Sequence, residues 1–333
     1  MNLIHLWHRL RRSIRVACCL LALAAGSTGA EETPGSPAQE TPPENGVALG
    51  EIVVQAPEPK FVAPTRRDRI GRIWAPVVID GKGPYRLVLD TGANHSAVTE
   101  RTARSLGTPT AIETLALVNG FTGSAMVPTI SVTSIDIGAF ALGPANLPVL
   151  ADVFGGAEGV LSVSDLHNER IFADFAHDRL EIAPSQRARA PAGFAVVPLH
   201  MSGGLPMADI LVGGVRTRAI IDTGAQSSVG NLALRRALAR QTPHKAARED
   251  IIGVTLQAQS GDSLSAPDIQ LGHLTIHGMT IVFGDMYLFQ HWHLTREPTL
   301  TIGMDLLGSF DVMIIDYARR EMQLQLRARA APP

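Results

Sequence analysis

Apolar residues in this chain come in short runs cut by glycine-bearing turns, and the runs recur in the same order in two halves. Trp74 to Ile79 is an apolar run, Asp80-Gly81 is a hairpin turn signal, and Tyr85 to Leu89 is the returning strand. Thr99 to Leu106 has helical composition and stops at Gly107. Val118 to Gly123 reads as a tight hairpin, followed by strand-like runs through Ile130 to Ile137 and Leu147 to Val153. Gly159 to Ser162 then precedes a hairpin with arms Ile171 to Phe175 and Leu180 to Ala183.

The second half repeats this plan after a Pro- and Arg-bearing connector. Ile210 to Val212 leads through Gly213-Gly214 to Arg218 to Ile221, and Asn231 is placed to cap a helix running through Arg240. Ile252 to Thr255 falls near the position of the first half's tight hairpin. Ile269 to Gly272 matches Ile135 to Gly138, and Thr301 to Leu307 matches the Leu161-Ser162 region. The pattern predicts an all-β fold of two lobes with one or two short helices each. The expected divisions are 61–183 for the first lobe, 184–192 for the connector, 193–328 for the second lobe and 329–333 for a tail.

Composition adjusts this picture at one end only. Over 333 residues, 45% hydrophobic and 18% charged content describe a globular chain, and a net charge of −2 gives no electrostatic reason to expect nucleic acid. Both cysteines, Cys18 and Cys19, lie in the N-terminal segment, so the rest of the chain has neither a disulfide framework nor a thiol nucleophile. Residues 1–30 place Arg9, Arg11, Arg12 and Arg15 before an apolar run from Val16 to Ala25, and small residues follow. That is the form of an export signal, which implies a periplasmic or secreted protein. Left uncleaved, the segment would tie the chain to a membrane. Residues 31–60 are rich in Pro, Glu, Gly and Ser and read as a tether or a removable leader.

The candidate chemistry sits where the two halves agree best. Leu89-Asp90-Thr91-Gly92-Ala93 returns as Ile221-Asp222-Thr223-Gly224-Ala225, 132 residues later, each after an apolar run and each with a serine six residues past the aspartate (Ser96 and Ser228). One Asp-Thr-Gly is a weak signal, whereas two in matched settings mark an internal duplication. If the halves pack about a pseudo-two-fold axis, Asp90 meets Asp222. Two full charges about 3 Å apart at an effective dielectric near 20 repel by roughly 5 kcal/mol, so the pair holds one proton. One carboxylate can then take a proton from water while its partner protonates the carbonyl oxygen of an amide. Gly92 and Gly224 let backbone N–H groups approach the carboxylates, and Thr91 and Thr223 carry hydroxyls able to bond across to the opposite loop.

This arrangement resembles the retropepsin/pepsin group of aspartic proteases, in particular bacterial two-lobed retropepsin-like proteins. The resemblance rests on both Asp-Thr-Gly-Ala loops, on Ile302-Gly303 and on the Gly-Met-Asp-Leu-Leu close at Gly303 to Leu307. It implies two acid-protease lobes, Asp90 and Asp222 as the catalytic dyad, Thr91 and Thr223 as an inter-lobe grip, and no cofactor or metal. It further implies a flap over a polypeptide substrate, which puts Gly120, Phe121 and Thr122 against that substrate. The chain is expected to be a monomer that carries its pseudo-dimer internally. A protease-fold protein that only binds peptides, or serves as a scaffold, is the alternative.

Two positions depart from the family's pattern. Ser162 stands where the first lobe's element should have a glycine; it is small, but it carries a Cβ able to shift the loop behind Asp90. Neither candidate flap has a tyrosine, and Phe121 is the nearest aromatic. Alanine at 93 and 225 removes a hydroxyl donor that pepsin-like enzymes place there, which raises the expected titration of the pair. Among the remaining candidates, His291-Trp292-His293 reads as a cleft wall or strand end rather than a metal site. The Arg66, Arg67, Arg69 and Arg72 cluster reads as a solvated boundary. Arg235, Arg236 and Arg240 read as a helix's solvent face, and Asp305 as structural.

Overall fold

A computed structural model of the protein describes residues 61–64, 72–107, 111–138, 140–164, 166, 168–242 and 245–327. The expected export segment and tether, Arg66, Arg67 and Arg69, and the tail 329–333 lie outside the described residues. Among the described residues no helix is long and apolar enough to cross a membrane.

The strands form three sheets. The first lobe's sheet has the order Ala111–Asn119, Ser124–Val132, Ala145–Leu150, Ala97–Thr99, Gly159–Ser162, Lys82–Asp90, Trp74–Ile79, Ile135–Ile137, Phe140–Leu142. The second lobe's sheet has the order Ala247–Ile252, Ala258–Ser265, Thr280–Phe283, Val229–Gly230, Thr299–Ile302, Val215–Ile221, Leu205–Val212, Ile269–Leu271, Leu274–Ile276, with His200–Ser202 added beside Leu205–Val212. Strand for strand, the two nine-membered paths are the same. The duplication read from the sequence is therefore a duplication of topology.

A third, six-stranded sheet joins the lobes. Its order is Phe61–Pro64, Arg179–Pro184, Glu169–Asp174, Phe310–Asp316, Glu321–Leu326, Phe194–Pro198. The seam is the antiparallel pairing of Glu169–Asp174 with Phe310–Asp316, in register from Arg170 opposite Asp316 to Asp174 opposite Val312.

Local sequence explains the turns and caps. Asp80 and Gly81 both take positive φ (49° and 72°), as do Gly213 and Gly214 (53° and 77°). This is the left-handed geometry that a two-residue hairpin between twisted strands requires. Helix α1, Glu100–Leu106, is capped by the Thr99 hydroxyl and closed by Gly107 at φ 68°. Helix α2, Leu232–Ala237, is capped by Asn231 but ends three residues before the expected Arg240. There the bonding tightens to Ala239 N–H on Arg236 O, and the Thr242 hydroxyl takes Leu238 O. The expected run Ile130 to Ile137 is likewise two strands, because Thr133 and Ser134 turn to donate to the Asp80 carboxylate. Helices α3, Tyr287–His291, and α4, Met304–Leu307, lie in the second lobe.

Alternation along the central strands decides what faces the site. In Lys82–Asp90, Leu87 and Leu89 enter a core continuous through both lobes, while Val88 points to the opposite face beside Trp74 and Val160. Ala219 and Ile221 do the same in the second lobe, with Ile220 on the far face. Burying each large aliphatic side chain contributes about 1.5–3 kcal/mol. A one-residue slip would turn every one of them outward, so the register that seats the aspartates is strongly specified.

Candidate active site

Each aspartate sits at the end of a strand whose neighbour blocks straight continuation. Gly159–Ser162 runs parallel to Lys82–Asp90 and places Ser162 opposite Asp90; on its other side it pairs with Ala97–Thr99. The loop 91–96 must therefore cross over the tip of that strand, and the carboxyl of Asp90 stands on the crossing. Thr299–Ile302, between Val215–Ile221 and Val229–Gly230, builds the same crossing for Asp222.

The two crossings meet through four reciprocal hydrogen bonds. The Thr91 hydroxyl donates to Ile221 O at 2.6 Å and accepts from Thr223 N–H at 3.0 Å. The Thr223 hydroxyl donates to Leu89 O at 2.7 Å and accepts from Thr91 N–H at 3.1 Å. Both threonines are fully buried. The grip expected from the resemblance is thus present, bond for bond, in both directions. Each glycine lies under the opposite carboxyl: a methyl group at Gly92 would come within 2.6 Å of both Asp222 carboxylate oxygens, and Gly224 is equally close to Asp90.

The Asp90 and Asp222 carboxyls are buried together, each against the other loop's glycine, and two full charges so placed repel strongly enough that the pair favours holding one proton. Burial is the main force holding Asp90 well above the usual carboxylate range, with the Asp222 charge adding to it and the Gly92 N–H and Arg72 opposing it. Burial raises Asp222 as well, against donors that favour its charged form. Those donors differ between the lobes. Asp90 accepts one backbone N–H, from Gly92 at 2.7 Å. Asp222 accepts two, from Gly224 and Ala225, both at 2.9 Å. The charge is therefore better accommodated on Asp222 and the proton on Asp90.

A cleft of about 740 Å³ opens above the pair. It is roofed by two hairpins, one per lobe, with tips at residues 120–123 and 253–257. The tips clasp. Thr122 Oγ1 donates to Gln257 O at 2.6 Å and accepts from Gly253 N–H at 3.0 Å, and Gln257 Nε2 donates to Ser124 O at 3.2 Å. Gly120 and Phe121 line the cleft, while Thr122 is buried in the clasp. The roof is thus shared, where the resemblance assigned the flap to the first lobe.

Ser162 bonds directly to the loop behind Asp90. Its hydroxyl donates to Ala93 O at 2.8 Å and meets the Ser164 hydroxyl, which donates to Asn94 O at 2.8 Å. The departure from glycine is absorbed by two hydroxyls that tie the loop down. The serines six residues past each aspartate serve the same framework: Ser96 Oγ accepts Ser162 N–H, and Ser228 Oγ accepts Gly303 N–H. Asp305 is structural, accepting both the N–H and the hydroxyl of Ser228.

Three readings need correction or completion. Arg72 is not a solvated boundary residue; it is 8% exposed, lines the cleft, and its charge acts on both aspartates. Arg235 is not on a solvent face, since its guanidinium lies over the Phe283 ring and donates to Thr242. Arg236 and Arg240 are exposed as expected. His291 and Trp292 form a cleft wall at the end of α3, a helix the periodicity did not reveal. Its trace was the length of residues 284–298 against 151–158 at the same place in the first lobe.

A family model described as aspartyl protease matches residues 75–164 and 208–306. No curated protein matches the chain significantly. Among solved structures, the crystal structure of a retropepsin-like aspartic protease from Rickettsia conorii is 20% identical, aligns over 38% of this chain and 90% of that one, and has a TM-score of 0.27. The two matched regions together take in more than half of the sequence, one in each lobe and each containing its own Asp-Thr-Gly-Ala loop, and by that measure this chain belongs to the aspartyl protease family.

Proposed function

We propose that the protein is an aspartic endopeptidase, with Asp90 and Asp222 as the catalytic pair and an extended polypeptide as substrate. One observation carries the reading: two carboxyl groups lie buried together at the floor of a roofed cleft, where they favour holding one proton between them. In the resting state Asp222 holds the negative charge under its two N–H donors, and Asp90 holds the proton. A water between them gives a proton to Asp222 as its oxygen attacks the peptide carbonyl carbon, and Asp90 protonates the carbonyl oxygen. The tetrahedral adduct collapses as the proton on Asp222 passes to the amide nitrogen. The C–N bond breaks and Asp90 recovers its proton from the adduct's hydroxyl. The protons belong to the pair, so kinetics will report the pair's apparent values. Thr91, Thr223, Gly92 and Gly224 support the geometry, and Phe121 with its neighbouring backbone covers the substrate.

The decisive experiment is cleavage of a denatured protein by the full chain, with and without Asp90→Asn, from pH 3 to 8 (about the range that carboxylate pairs span). Cleavage by the parent and none by the variant supports the reading. Equal cleavage by both, or none by either, would leave a folded peptide-binding module in place of an enzyme. The arginine-led N-terminal segment further supports export to the periplasm or beyond, tested by fractionating cells that produce the full chain with that segment intact or deleted.

A further inference from the structure

The lobes present the same sheet surface toward the cleft and cover it differently. In the first lobe that surface is Val88, Ala97, Pro148 and Val160, and the cleft reaches all four. Matching sheet orders and registers make Ile220, Val229, Val282 and Thr301 their counterparts. Of these the cleft reaches Val229 alone. Ile220 and Val282 are covered by the segment 284–298, where Phe289 of α3 is completely buried and packs in one cluster with Ile220, Val229, Val282 and Leu294. The first lobe's shorter 151–158 also packs on its sheet, with Phe154 buried in one cluster with Val88, Ala97 and Val160, yet it leaves the cleft in contact with those residues and with Pro148.

Helix α3 is fixed in this position from the other side as well. Phe289 meets Phe121 of the first lobe's flap edge to face at 5.7 Å. Leu288 N–H donates to Phe121 O at 3.2 Å, and the Tyr287 hydroxyl donates to Asn119 Oδ1 at 2.9 Å. The outward surface that α3 gives the cleft is Leu288, His291 and Trp292, a wall in place of a recess.

We propose that substrate recognition is one-sided. The first lobe takes a bulky apolar side chain next to the cleaved bond, and α3 occupies the equivalent recess of the second lobe, so that the residue across that bond is small or polar. This rests on the protease reading. The recess is apolar and adjacent to Asp90, and filling it with a leucine or phenylalanine side chain is worth at least tenfold in discrimination over alanine, roughly what a few methylenes supply.

The test is a peptide library digested by the full chain, with every cleavage site sequenced. Enrichment of Leu, Phe or Met of about tenfold or more, on one side of the cleaved bond only, is the expected result; equal enrichment on both sides overturns the proposal. Ala97→Leu, which fills the open recess, should abolish that preference. Phe289→Ala should add a preference on the second side. If Phe289→Ala does not fold, the parent library and Ala97→Leu still decide. To separate this from failure of the protease reading, fluorescein-labelled short peptides carrying one Phe or one Ala are titrated against the full chain bearing Asp90→Asn. Tighter binding of the Phe peptide, lost in the Ala97→Leu background, keeps the recess even if nothing is cleaved. Indifference to the side chain removes it even if cleavage is confirmed.

Discussion

The loops after Asp90 and Asp222 have the same sequence from Asp to Ala and are held by different atoms. In the second lobe, backbone N–H groups at the start of α4 do the holding: Met304 donates to Ala225 O at 2.9 Å and Asp305 to Gln226 O at 3.1 Å. In the first lobe no helix follows Ser162 among the described residues, and the Ser162 and Ser164 hydroxyls donate to Ala93 O and Asn94 O. Glycine is demanded only where the backbone crowds the site. A methyl group at Gly303 would come 2.9 Å from Ser227 C and O, whereas Ser162 fits with its hydroxyl bonded. One loop shape has two independent supports, so a family glycine is not needed at both positions.

Replacing the acids breaks the comparison most severely. Asp90→Asn and Asp222→Asn should each lower kcat/KM by roughly 10³–10⁴, as loss of general acid–base assistance does, read with a cleavable peptide. The same variants carry a stability signature. Both folded-state values are raised, so the pair's contribution is complete below the unfolded carboxylate value near 4 and is lost as pH climbs through the raised folded values. Thermal melts should therefore coincide with the parent in acid and run higher than the parent toward neutral pH. A variant that melts lower at neutral pH would show that the charges stabilise the fold.

The threonines test the symmetric part. Thr91→Val and Thr223→Val each leave a carbonyl and an N–H unpaired in the interior, a cost of about 2–3 kcal/mol by urea unfolding. The two losses should be equal within error, since each variant removes two bonds of its own, and the double variant should depart from additivity because the two side chains belong to one network. Unequal losses would mean that one loop carries the interface.

The unlike supports are expected to give smaller and opposed results. Gly303→Ala crowds fixed backbone and should cost about 1–3 kcal/mol. Ser162→Gly restores the family's residue yet should cost about 1 kcal/mol and reduce kcat, because Ala93 O loses its donor. A gain in activity for Ser162→Gly would show that the serine is a defect. The mildest effect is on pH. With the pair raised by burial and without a hydroxyl at 93 or 225, the pH–rate profile should peak between mildly acidic and neutral values, and a maximum below about 3 would refute this.

Much of this was legible in the chain because it is written in short-range signals. Strand alternation, the Asp80-Gly81 turn, the Gly107 helix stop, the Asn231 cap and the paired Asp-Thr-Gly loops each depend on neighbours within a few residues. What escaped depends on distant partners. Arg72 closes a run of arginines that resembles any solvated segment, and only the folded cleft makes it a buried cation beside two acids. Helix α3 has five residues, too few for helical periodicity, and its meaning comes from Phe121, more than 160 residues away. Ser162 looked like a flaw because the carbonyl it serves belongs to another loop.

The joining sheet has one more consequence. Each half contributes three adjacent strands and ends on an edge, Glu169–Asp174 on one side and Phe310–Asp316 on the other. Severed in the connector, the halves would each carry a bare, largely apolar edge ready to template on its mate, on a second copy of itself, or on an aggregate. Covalent linkage sets the local concentration of one half about the other at a value that dilution does not change. The two carboxyls can then come together within a single molecule, at any dose.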